Sequence, residues 1–388
     1  MNLLVLTPLY CIEGRDDLIQ DTSAIHYLVK YWAEENNVLV IDTYLNYKNK
    51  VFRYLKKQNR RYYREDYVFV KDGIKVYIIE NQILTKGYFI SWNWSHCKKH
   101  IKRILENEKF VPDVVISHFP CYSYGFIDKL GINAPKVAVV HESDITNAME
   151  LKSFYSALEN KYTAVYCRSR KIFDYFNKRG LSNIKKDIIY SGAPDVVDPL
   201  ERSWDDFRSK TVDLLFVGKL IKRKNVDWIV RALSSLKSHR FRLTIIGKGP
   251  EEDNIRALVS QYELDPYVVF MSSLSRDKVL QRMSKADIFC MPSKNETFGL
   301  VYIEALSRGC LTIGVKNEGI DGVIKNRENG FLVDNYEELV CCLESILNFM
   351  SIQEIERISK KAIETGKNFS ENNVSKRYLE YVINSISQ

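Results

Sequence analysis

Short apolar runs alternate with amphipathic stretches along the first half of this chain, and this alternation limits the folds open to it. The predicted strands are residues 3–7, 37–43, 75–79, 114–117, 136–140, 164–167 and 187–190. Helical patterns lie between several of these runs, as at residues 22–34 and 94–107. Continuous apolar runs are typical of strands that are buried on both faces. The pattern therefore predicts an α/β fold in which helices cover parallel sheets.

The same alternation of apolar and amphipathic stretches starts again after Gly192-Ala193-Pro194 and a polar stretch to about Lys210. We interpret this polar stretch as a linker. The predicted strands are 213–217, 241–246, 268–271, 288–291 and 311–315, and the predicted helices are 226–235, 251–262, 276–284, 300–308, 337–350, 353–369 and 371–386. A chain of 388 residues is too long for one small core. We predict two domains, 1–195 and 196–369, and a C-terminal helix in 370–388 that packs back on the first domain.

Cysteine spacing and hydropathy bear on the cellular compartment of the protein. The eight cysteines form no Cys-x-x-Cys pair, and a zinc site is not expected. The opening MNLLVLTPLY lacks a basic n-region, and we interpret it as a strand and not as a signal peptide. Because the sequence has no run of about 18 apolar residues, no membrane span is expected. A cytoplasmic protein with reduced thiols is predicted.

The formal net charge of +8 is unevenly distributed, because every charged residue within residues 48–64 is basic. Aromatic residues are interleaved with Lys56, Lys57, Arg60 and Arg61 in this stretch. Three interpretations are open: a solvated basic loop, contact with an anionic membrane surface, or nucleic acid binding. Aromatic residues beside Lys and Arg suit the bilayer interface, so the stretch favours a membrane over nucleic acid as its partner.

Two strand ends in the second half carry glycines. The sequence VGKLIKRKN at 217–225 puts Gly218, Lys219 and then Lys224 after a predicted strand, where open α/β sheets bind anionic ligands. The two lysines could neutralise a diphosphate, or they could belong to an exposed basic loop. The second strand ends in Gly247-Lys248-Gly249-Pro250. Three acids follow it at the helix start and would repel a phosphate, so this turn either is structural or leaves backbone groups free to contact a base.

Residues 291–309, MPSKNETFGLVYIEALSRG, place Glu296 and Glu304 eight residues apart. The pattern predicts a loop that becomes a helix, whose first backbone N–H groups can bind phosphate. Carboxylates nearby can accept hydrogen bonds from hydroxyl groups. A sugar nucleotide carries both phosphate and hydroxyl groups, so the pattern favours a site for a sugar nucleotide. The alternative is an ordinary amphipathic helix with two exposed acids.

Taken together, these motifs resemble the retaining glycosyltransferases of family 4. The resemblance is carried by FVGKL at 216–220 with Lys224, GKGP at 247–250, the Glu296-x7-Glu304 pair, Gly309 and NGFLV at 329–333. It implies the GT-B architecture, in which two Rossmann-like domains with parallel sheets face a central cleft. The first domain would bind the acceptor and the second domain the nucleotide sugar.

The resemblance also implies residue roles in the second half. Lys219, which stands where many members have arginine, and Lys224 would bind the phosphates of the donor. Glu304 would hold the ribose hydroxyls, and Glu296 would contact the transferred sugar. The implied donor site is completed by Gly218, Gly247, Gly249, Thr297, Phe298, Gly299, Leu300 and Val301.

The first half matches the family less closely. Gly14 is the one glycine in a loop where members have a pair that approaches the diphosphate. His141 and His118 each end a predicted strand, at the sheet edge where ligands bind. The resemblance assigns His141 to the donor sugar and makes His118 an acceptor-side or donor-side group, although either could be structural. His141, Glu296 and Lys224 are the predicted catalytic residues.

The implied reaction moves a hexose-type sugar, with retention, from a nucleoside diphosphate to a hydroxyl of a glycan or lipid-linked acceptor. A UDP-sugar is the expected donor, and cell-surface polysaccharide synthesis is the expected pathway. No Asp-x-Asp motif occurs, so lysines would replace a metal and no cofactor is expected. The expected location is the cytoplasm, peripheral to the inner face of the membrane. Two alternatives stay open: a nucleotide-sugar 2-epimerase of the same fold, and a basic nucleic-acid-binding protein.

Overall fold

The computed structural model describes residues 1–10, 23–47, 67–85, 88–89, 91–148, 152–179, 181, 184–193, 202–236, 240–296 and 298–386. They divide into two compact units. The first is Met1–Tyr190 together with Val374–Gln388, and the second is Ser191–Asn373. The chain therefore returns to its first unit at the end.

Within the described ranges, the first unit contains a nine-stranded sheet. Its strands are β1 (Asn2–Thr7), β2 (Asn37–Tyr47), β3 (Tyr67–Lys71), β4 (Ile74–Thr85), β5 (Tyr88–Phe89), β6 (Val114–His118), β7 (Lys136–Val140), β8 (Ala164–Cys167) and β9 (Lys185–Ile188). The order is β3-β4-β2-β1-β6-β7-β8-β9, and β5 pairs with β4. The central strand β1 pairs in parallel with β2 and β6, and Leu3 lies opposite Val38 and Val114.

One edge of this mostly parallel sheet contains antiparallel strands. Strands β3 and β5 run antiparallel to β4. Asp72 and Gly73 connect β3 to β4, and both have positive φ. That conformation suits a two-residue hairpin, because its twist matches the twist of the flanking strands. Strand β4 is also longer than the predicted 75–79, because it continues through polar residues to Thr85.

Helices cover the sheet of the first unit. They are α1 (Ser23–Trp32), α2 (Ser91–Asn107), α3 (Glu142–Ala148), α4 (Lys152–Lys161) and α5 (Arg170–Lys178). Helix α5 begins where the Ser169 hydroxyl accepts a 3.3 Å hydrogen bond from the Ile172 N–H, which satisfies one of the unpaired first-turn donors. Strands β6 and β8 are buried along their whole length, as their apolar sequences predict.

The second unit contains a fully parallel sheet. Its strands are β10 (Val212–Val217), β11 (Phe241–Ile246), β12 (Val268–Met271), β13 (Ile288–Cys290), β14 (Leu311–Val315) and β15 (Phe331–Val333). Its helices are α6 (Val226–Ser235), α7 (Glu252–Gln261), α8 (Arg276–Lys285), α9 (Leu300–Leu306), α10 (Tyr336–Glu344) and α11 (Ile352–Asn368). The order β12-β11-β10-β13-β14-β15 is that of a doubly wound sheet.

The stretch interpreted as a linker belongs in part to the core of the second unit. Trp204 is 1% exposed and Phe207 is fully buried. Arg202 donates hydrogen bonds to the carbonyl groups of Arg308, Met283 and Ser284, at 2.7, 3.0 and 3.1 Å. Two buried aromatic residues and a bonded arginine tie this stretch to the unit.

The last helix, α12 (Glu371–Ile386), starts in the second unit and continues in the first. Inside the first unit, the Trp32 indole N–H donates to the Ser375 carbonyl at 3.0 Å. The Ser375 hydroxyl donates to the Leu28 carbonyl at 2.9 Å. The Tyr378 ring meets the Trp32 ring edge-on at 4.8 Å. These contacts hold α12 against α1. Among the helices of the described residues, none is both long and apolar enough to cross a membrane.

Candidate active site

The parallel order of the second sheet brings several predicted site residues to one edge. Gly218 and Lys219 follow β10, Gly247 and Gly249 follow β11, and Glu296 follows β13 through a loop. In a doubly wound sheet the carboxyl ends of the strands meet at this edge, which is where such sheets bind ligands. The topology therefore places the three sequence motifs side by side.

The glycines after β11 let two loops touch through their backbones. A Cβ atom on Gly247 would lie 2.0 Å from the Gly218 carbonyl oxygen, and one on Gly249 would lie 2.1 Å from the Leu220 carbonyl oxygen. The Leu220 N–H donates to the Lys248 carbonyl at 3.0 Å. The Gly-x-Gly sequence thus has a structural cause, the close approach of the loops after β10 and β11. Any contact of these glycines with a ligand stays a prediction.

Lys224 and Glu296 form an ion pair at this edge. The Lys224 ammonium, in a residue only 8% exposed, donates to Glu296 Oε2. The same oxygen accepts from Arg223 Nη1 at 3.0 Å and from the Ser293 hydroxyl at 3.0 Å. Three donors therefore converge on one carboxylate oxygen, and we call these four residues the Glu296 cluster. The sequence had indicated Lys224 and Glu296 but not Arg223 or Ser293.

Electrostatics favours the charged form of Glu296, whereas burial works against the charge of Lys224. Burial raises the pKa of the Glu296 carboxyl, but Lys224 and Arg223 outweigh burial and hold that pKa below its ordinary value. Burial lowers the pKa of the Lys224 ammonium, and the opposing effect of Glu296 offsets only part of this. The cluster is thus a partly dehydrated site with two cations around one carboxylate, an arrangement in which charge interactions are stronger than in water.

Backbone contacts fix the loop that carries Glu296. The Asn225 side-chain amide donates to the Pro292 carbonyl at 2.8 Å. The Glu296 N–H donates to Glu318 Oε2 at 3.0 Å, and the Gly319 N–H donates to the Glu296 carbonyl at 3.0 Å. The segment at Glu318 and Gly319 therefore holds Glu296 by hydrogen bonds to its backbone N–H and carbonyl groups. No local sequence pattern indicated this contact, because the two segments meet only in the fold.

Glu304 lies in α9 and is only 4% exposed, so the alternative of two exposed acids is wrong. Its Oε1 accepts a 2.8 Å hydrogen bond from Arg276 Nε, at the start of α8. Arg276 Nη1 also lies 3.4 Å from Glu371 Oε1, at the start of α12. Arg276 is a second arginine that the motifs did not reveal.

The loop before α9 turns at Gly299. This residue has a φ of 77°, and a Cβ there would lie 2.7 Å from the Tyr302 ring, so both conformation and space require glycine. Phe298 is buried, whereas Leu300 and Val301 are half-buried in the first turn. Lys219 is exposed at the end of β10.

In the first unit the structure brings His118 and His141 together. His118 Nδ1 lies 3.2 Å from His141 Nε2, and the Phe119 ring stacks on His141 at 3.6 Å. Asp144 accepts hydrogen bonds from the backbone N–H groups of His141 and Cys121, at 2.7 and 3.0 Å. Burial, with the nearby charge of Arg168, holds the pKa of His118 well below its usual range. The two histidines, predicted separately, form one pair.

Several predicted residues lie outside the described part of the chain. They are Gly14, Lys56, Lys57, Arg60, Arg61 and Thr297. Their assignments stay predictions. Within the described ranges, no group of three or more His, Cys, Asp or Glu side chains could hold a metal ion.

Residues 201–365 match the family model described as glycosyl transferases group 1. This span contains the Glu296 cluster, the glycine turns and Glu304. The matched span lies within the second unit, which is therefore similar to the group 1 glycosyltransferases.

Two curated relatives extend the likeness into the first unit. An uncharacterized glycosyltransferase of Methanocaldococcus jannaschii is 25% identical over 287 residues, which is 68% of this chain and 72% of the relative. A Campylobacter jejuni enzyme is 25% identical over 258 residues, which is 63% of this chain and 69% of the relative. Its name is N-acetylgalactosamine-N,N'-diacetylbacillosaminyl-diphospho-undecaprenol 4-alpha-N-acetylgalactosaminyltransferase.

Among solved structures, Anabaena HepE in complex with UDP is similar to this chain with a TM-score of 0.70 at 15% identity. The likeness covers 99% of this chain and 100% of HepE. Together with the two α/β units described above, it confirms the predicted GT-B fold class.

Proposed function

We propose that this protein is a group 1 glycosyltransferase that moves a hexose-type sugar from a nucleoside diphosphate sugar, with retention of configuration, to a hydroxyl of a glycan or lipid-linked acceptor. The Glu296 cluster carries the proposal. It joins two cations and a carboxylate at the carboxyl edge of a doubly wound sheet. Cations suit the diphosphate, and the carboxylate suits sugar hydroxyls. The UDP complex of HepE supports a UDP-sugar as the donor to test first.

The cations would stabilise the leaving group. As the glycosidic bond breaks, negative charge builds on the diphosphate oxygens. Lys224 and Arg223 both donate to Glu296, which also accepts from Ser293, so the two cations lie close together. Preorganised charges in a water-poor site need little reorganisation when the reaction occurs. Lys219, exposed at the neighbouring strand end, would add a further positive charge near the diphosphate. These cations replace a metal ion in the proposed reaction, and no cofactor is involved.

The carboxylates would bind hydroxyl groups. Glu304, oriented by Arg276, would hold the ribose, and Glu296 would contact the transferred sugar. His141, the hydrogen-bonded neighbour of His118, would contact the donor sugar. The transition state would resemble an oxocarbenium ion, and the proton of the acceptor hydroxyl would pass to the leaving phosphate. Glu296 then needs no role as a nucleophile.

The acceptor is proposed to be a growing cell-surface glycan, free or lipid-linked. The Campylobacter relative's name includes a diphospho-undecaprenol substrate, which supports a lipid-linked acceptor. We also propose that the enzyme acts on the inner membrane face, held there by the basic stretch at 48–64.

A donor screen tests the proposed reaction. UDP-, GDP- and ADP-sugars are incubated with and without lipid-linked and free glycan acceptors, and release of the nucleoside diphosphate is measured. We expect release from one nucleotide class, strongly increased by acceptor, and a product whose anomeric proton shows the configuration of the donor. An inverted product would contradict retention. An epimerised sugar formed without acceptor would contradict transfer and favour the 2-epimerase.

A further inference from the structure

Three side chains of the first unit form a continuous hydrogen-bonded chain, which we call the Tyr378 relay. The Tyr378 hydroxyl lies 3.3 Å from His118 Nε2, and His118 Nδ1 lies 3.2 Å from His141 Nε2. Tyr378 and His118 are each 1% exposed. The relay therefore connects the last helix, α12, to the carboxyl ends of the adjacent parallel strands β6 and β7.

The number of protons on the three side chains limits which of them can donate in each hydrogen bond of the relay. Burial raises the pKa of the Tyr378 hydroxyl, which therefore keeps its one proton. Burial and the charge of Arg168 lower the pKa of both imidazoles, so each ring carries one N–H at neutral pH. Among the described residues, His118 Nε2 is the hydrogen-bond partner of the Tyr378 hydroxyl. The Tyr378 hydroxyl can direct its proton to Nε2, and in that arrangement the proton of His118 lies on Nδ1.

The next bond follows from the first. His118 Nδ1–H donates to His141 Nε2, so the single proton of His141 lies on Nδ1. We propose that Tyr378 is a positioning residue that sets this tautomer, so that His141 presents a hydrogen-bond donor, and no basic nitrogen, to the substrate. The proposal rests on the proposed contact between His141 and the donor sugar. The fitting partner is an oxygen lone pair of a sugar hydroxyl or of a phosphate of the nucleotide sugar.

The tautomer has a chemical consequence for the reaction. A His141 ring with Nε2 engaged by His118 and Nδ1 protonated has no free lone pair, so it cannot take the proton of the acceptor hydroxyl. This agrees with the proposed transfer of that proton to the leaving phosphate. A His141 protonated on Nε2 would instead offer a bare Nδ1 and could serve as a general base.

The position of the His141 ring is held by other contacts. Phe119 stacks on it with planes 15° apart, and Asp144 holds the backbone N–H of His141. Phe119 itself has a φ of 54°, an uncommon conformation for a bulky residue. Stacking and backbone contacts fix where the ring lies, but they do not choose between its two neutral forms. The hydroxyl of Tyr378, acting through His118, makes that choice.

The packing of α12 allows a clean test. The Tyr378 ring contacts Trp32 edge-on, and the substitution Tyr378→Phe keeps this ring contact while it removes the hydroxyl. Tyr381→Phe is the matched control, because Tyr381 lies on the same helix, is 39% exposed and stacks on Tyr166. The control keeps the relay intact.

The tautomers are measured by long-range proton–nitrogen NMR on the full chain labelled with ¹⁵N-histidine, and His118→Gln and His141→Gln assign the signals. In the wild type and Tyr381→Phe we expect His141 protonated on Nδ1. In Tyr378→Phe we expect a mixture with the Nε2–H form. A wild-type His141 protonated on Nε2, or an unchanged ratio in Tyr378→Phe, would overturn the proposal.

Turnover gives a second, separate measurement. With a UDP-sugar that the donor screen shows to be active, kcat/KM of Tyr378→Phe should fall about 5-fold, as expected for loss of one hydrogen bond, while Tyr381→Phe stays at the wild-type value. Absence of transfer with every nucleotide sugar would refute the proposed function and leave the NMR result valid. Normal turnover of Tyr378→Phe alongside a changed tautomer would overturn the role given to the relay.

Discussion

At the scale of single residues, Glu296 is the centre of the site. Its Oε2 accepts from Lys224, Arg223 and Ser293, while Glu318 holds its backbone N–H. A carboxylate with this many donors is stabilised in its charged form, and the donors are fixed in turn. Glu296 therefore positions the cations that would meet the diphosphate as well as offering an acceptor for hydroxyls.

Acid should weaken the second unit through Glu296. Its folded-state pKa is lowered, so its ion pairs add stability above the unfolded pKa, and that stability is lost as the pH falls through the lower folded value. Glu296→Gln should cost about 1–3 kcal/mol at pH 7. The difference from the wild type should shrink between about pH 5 and pH 3. Denaturant unfolding at several pH values measures it.

The control for this prediction is Glu337→Gln, which changes an exposed carboxylate of the same unit. It should differ from the wild type by less than about 0.5 kcal/mol at every pH. A stability loss in Glu296→Gln that does not vary with pH would mean that the ion pairs do not cause it.

At the scale of elements, two backbone loops define the ligand edge of the second sheet. The turns after β10 and β11 touch at Gly218–Gly247 and at Leu220–Gly249. This contact leaves room only for glycine, and it aligns the loop that leads to Lys224. The same glycines that resemble a phosphate-binding motif thus have a role in building the site.

Gly247→Ala should destabilise the second unit by about 2–4 kcal/mol, because the new Cβ meets the Gly218 carbonyl at a positive φ of 145°. Gly73→Ala is the comparison, since Gly73 has a φ of 78° but no atom near its Cβ position. It should cost only about 1 kcal/mol. Urea unfolding measures both variants, and equal losses would contradict the steric argument.

Most elements could be predicted from hydropathy, and the exceptions have physical reasons. Helix α6 and strands β11 and β12 have the predicted bounds, because their apolar pattern is strong. Strand β4 was predicted too short, since Glu80, Asn81 and Gln82 interrupt its apolar run. The helix predicted at 337–350 ends at Glu344 and continues as a wider π turn, Ser345–Phe349.

The site was predictable only where its residues are close in sequence. Lys224, Glu296 and Glu304 belong to local motifs with fixed spacing. Arg276 and Glu318 come from other segments, so no local pattern indicated them. The pairing of His118 with His141 needed the register of β6 with β7.

At the scale of the whole molecule, the last helix takes part in both units. Its first residue, Glu371, contacts Arg276, the partner of Glu304, in the second unit. Further along the same helix, Tyr378 contacts His118 in the first unit. One helix thus touches residues behind the proposed ribose-binding carboxylate and behind the histidine pair.

The proposed membrane binding belongs to the scale of the whole molecule. Liposomes with acidic lipid should pellet the wild type, because the basic stretch at 48–64 attracts an anionic surface. A variant with Lys56, Lys57, Arg60 and Arg61 neutralised should pellet less, and neutral liposomes should pellet neither protein strongly. Equal pelleting of both proteins by acidic liposomes would refute this anchor.

The Glu296 cluster and Glu304 are proposed to bind the nucleotide-sugar donor. The most direct measurement is kcat/KM for release of nucleoside diphosphate by the wild type, Lys224→Ala, Glu304→Ala and Lys222→Ala. Lys222 is exposed in the same turn as Lys224 and serves as the matched control. Lys224→Ala and Glu304→Ala should each lose about 2–4 kcal/mol of transition-state stabilisation, and Lys222→Ala almost none. Release by Lys224→Ala or Glu304→Ala at the wild-type rate would contradict the account.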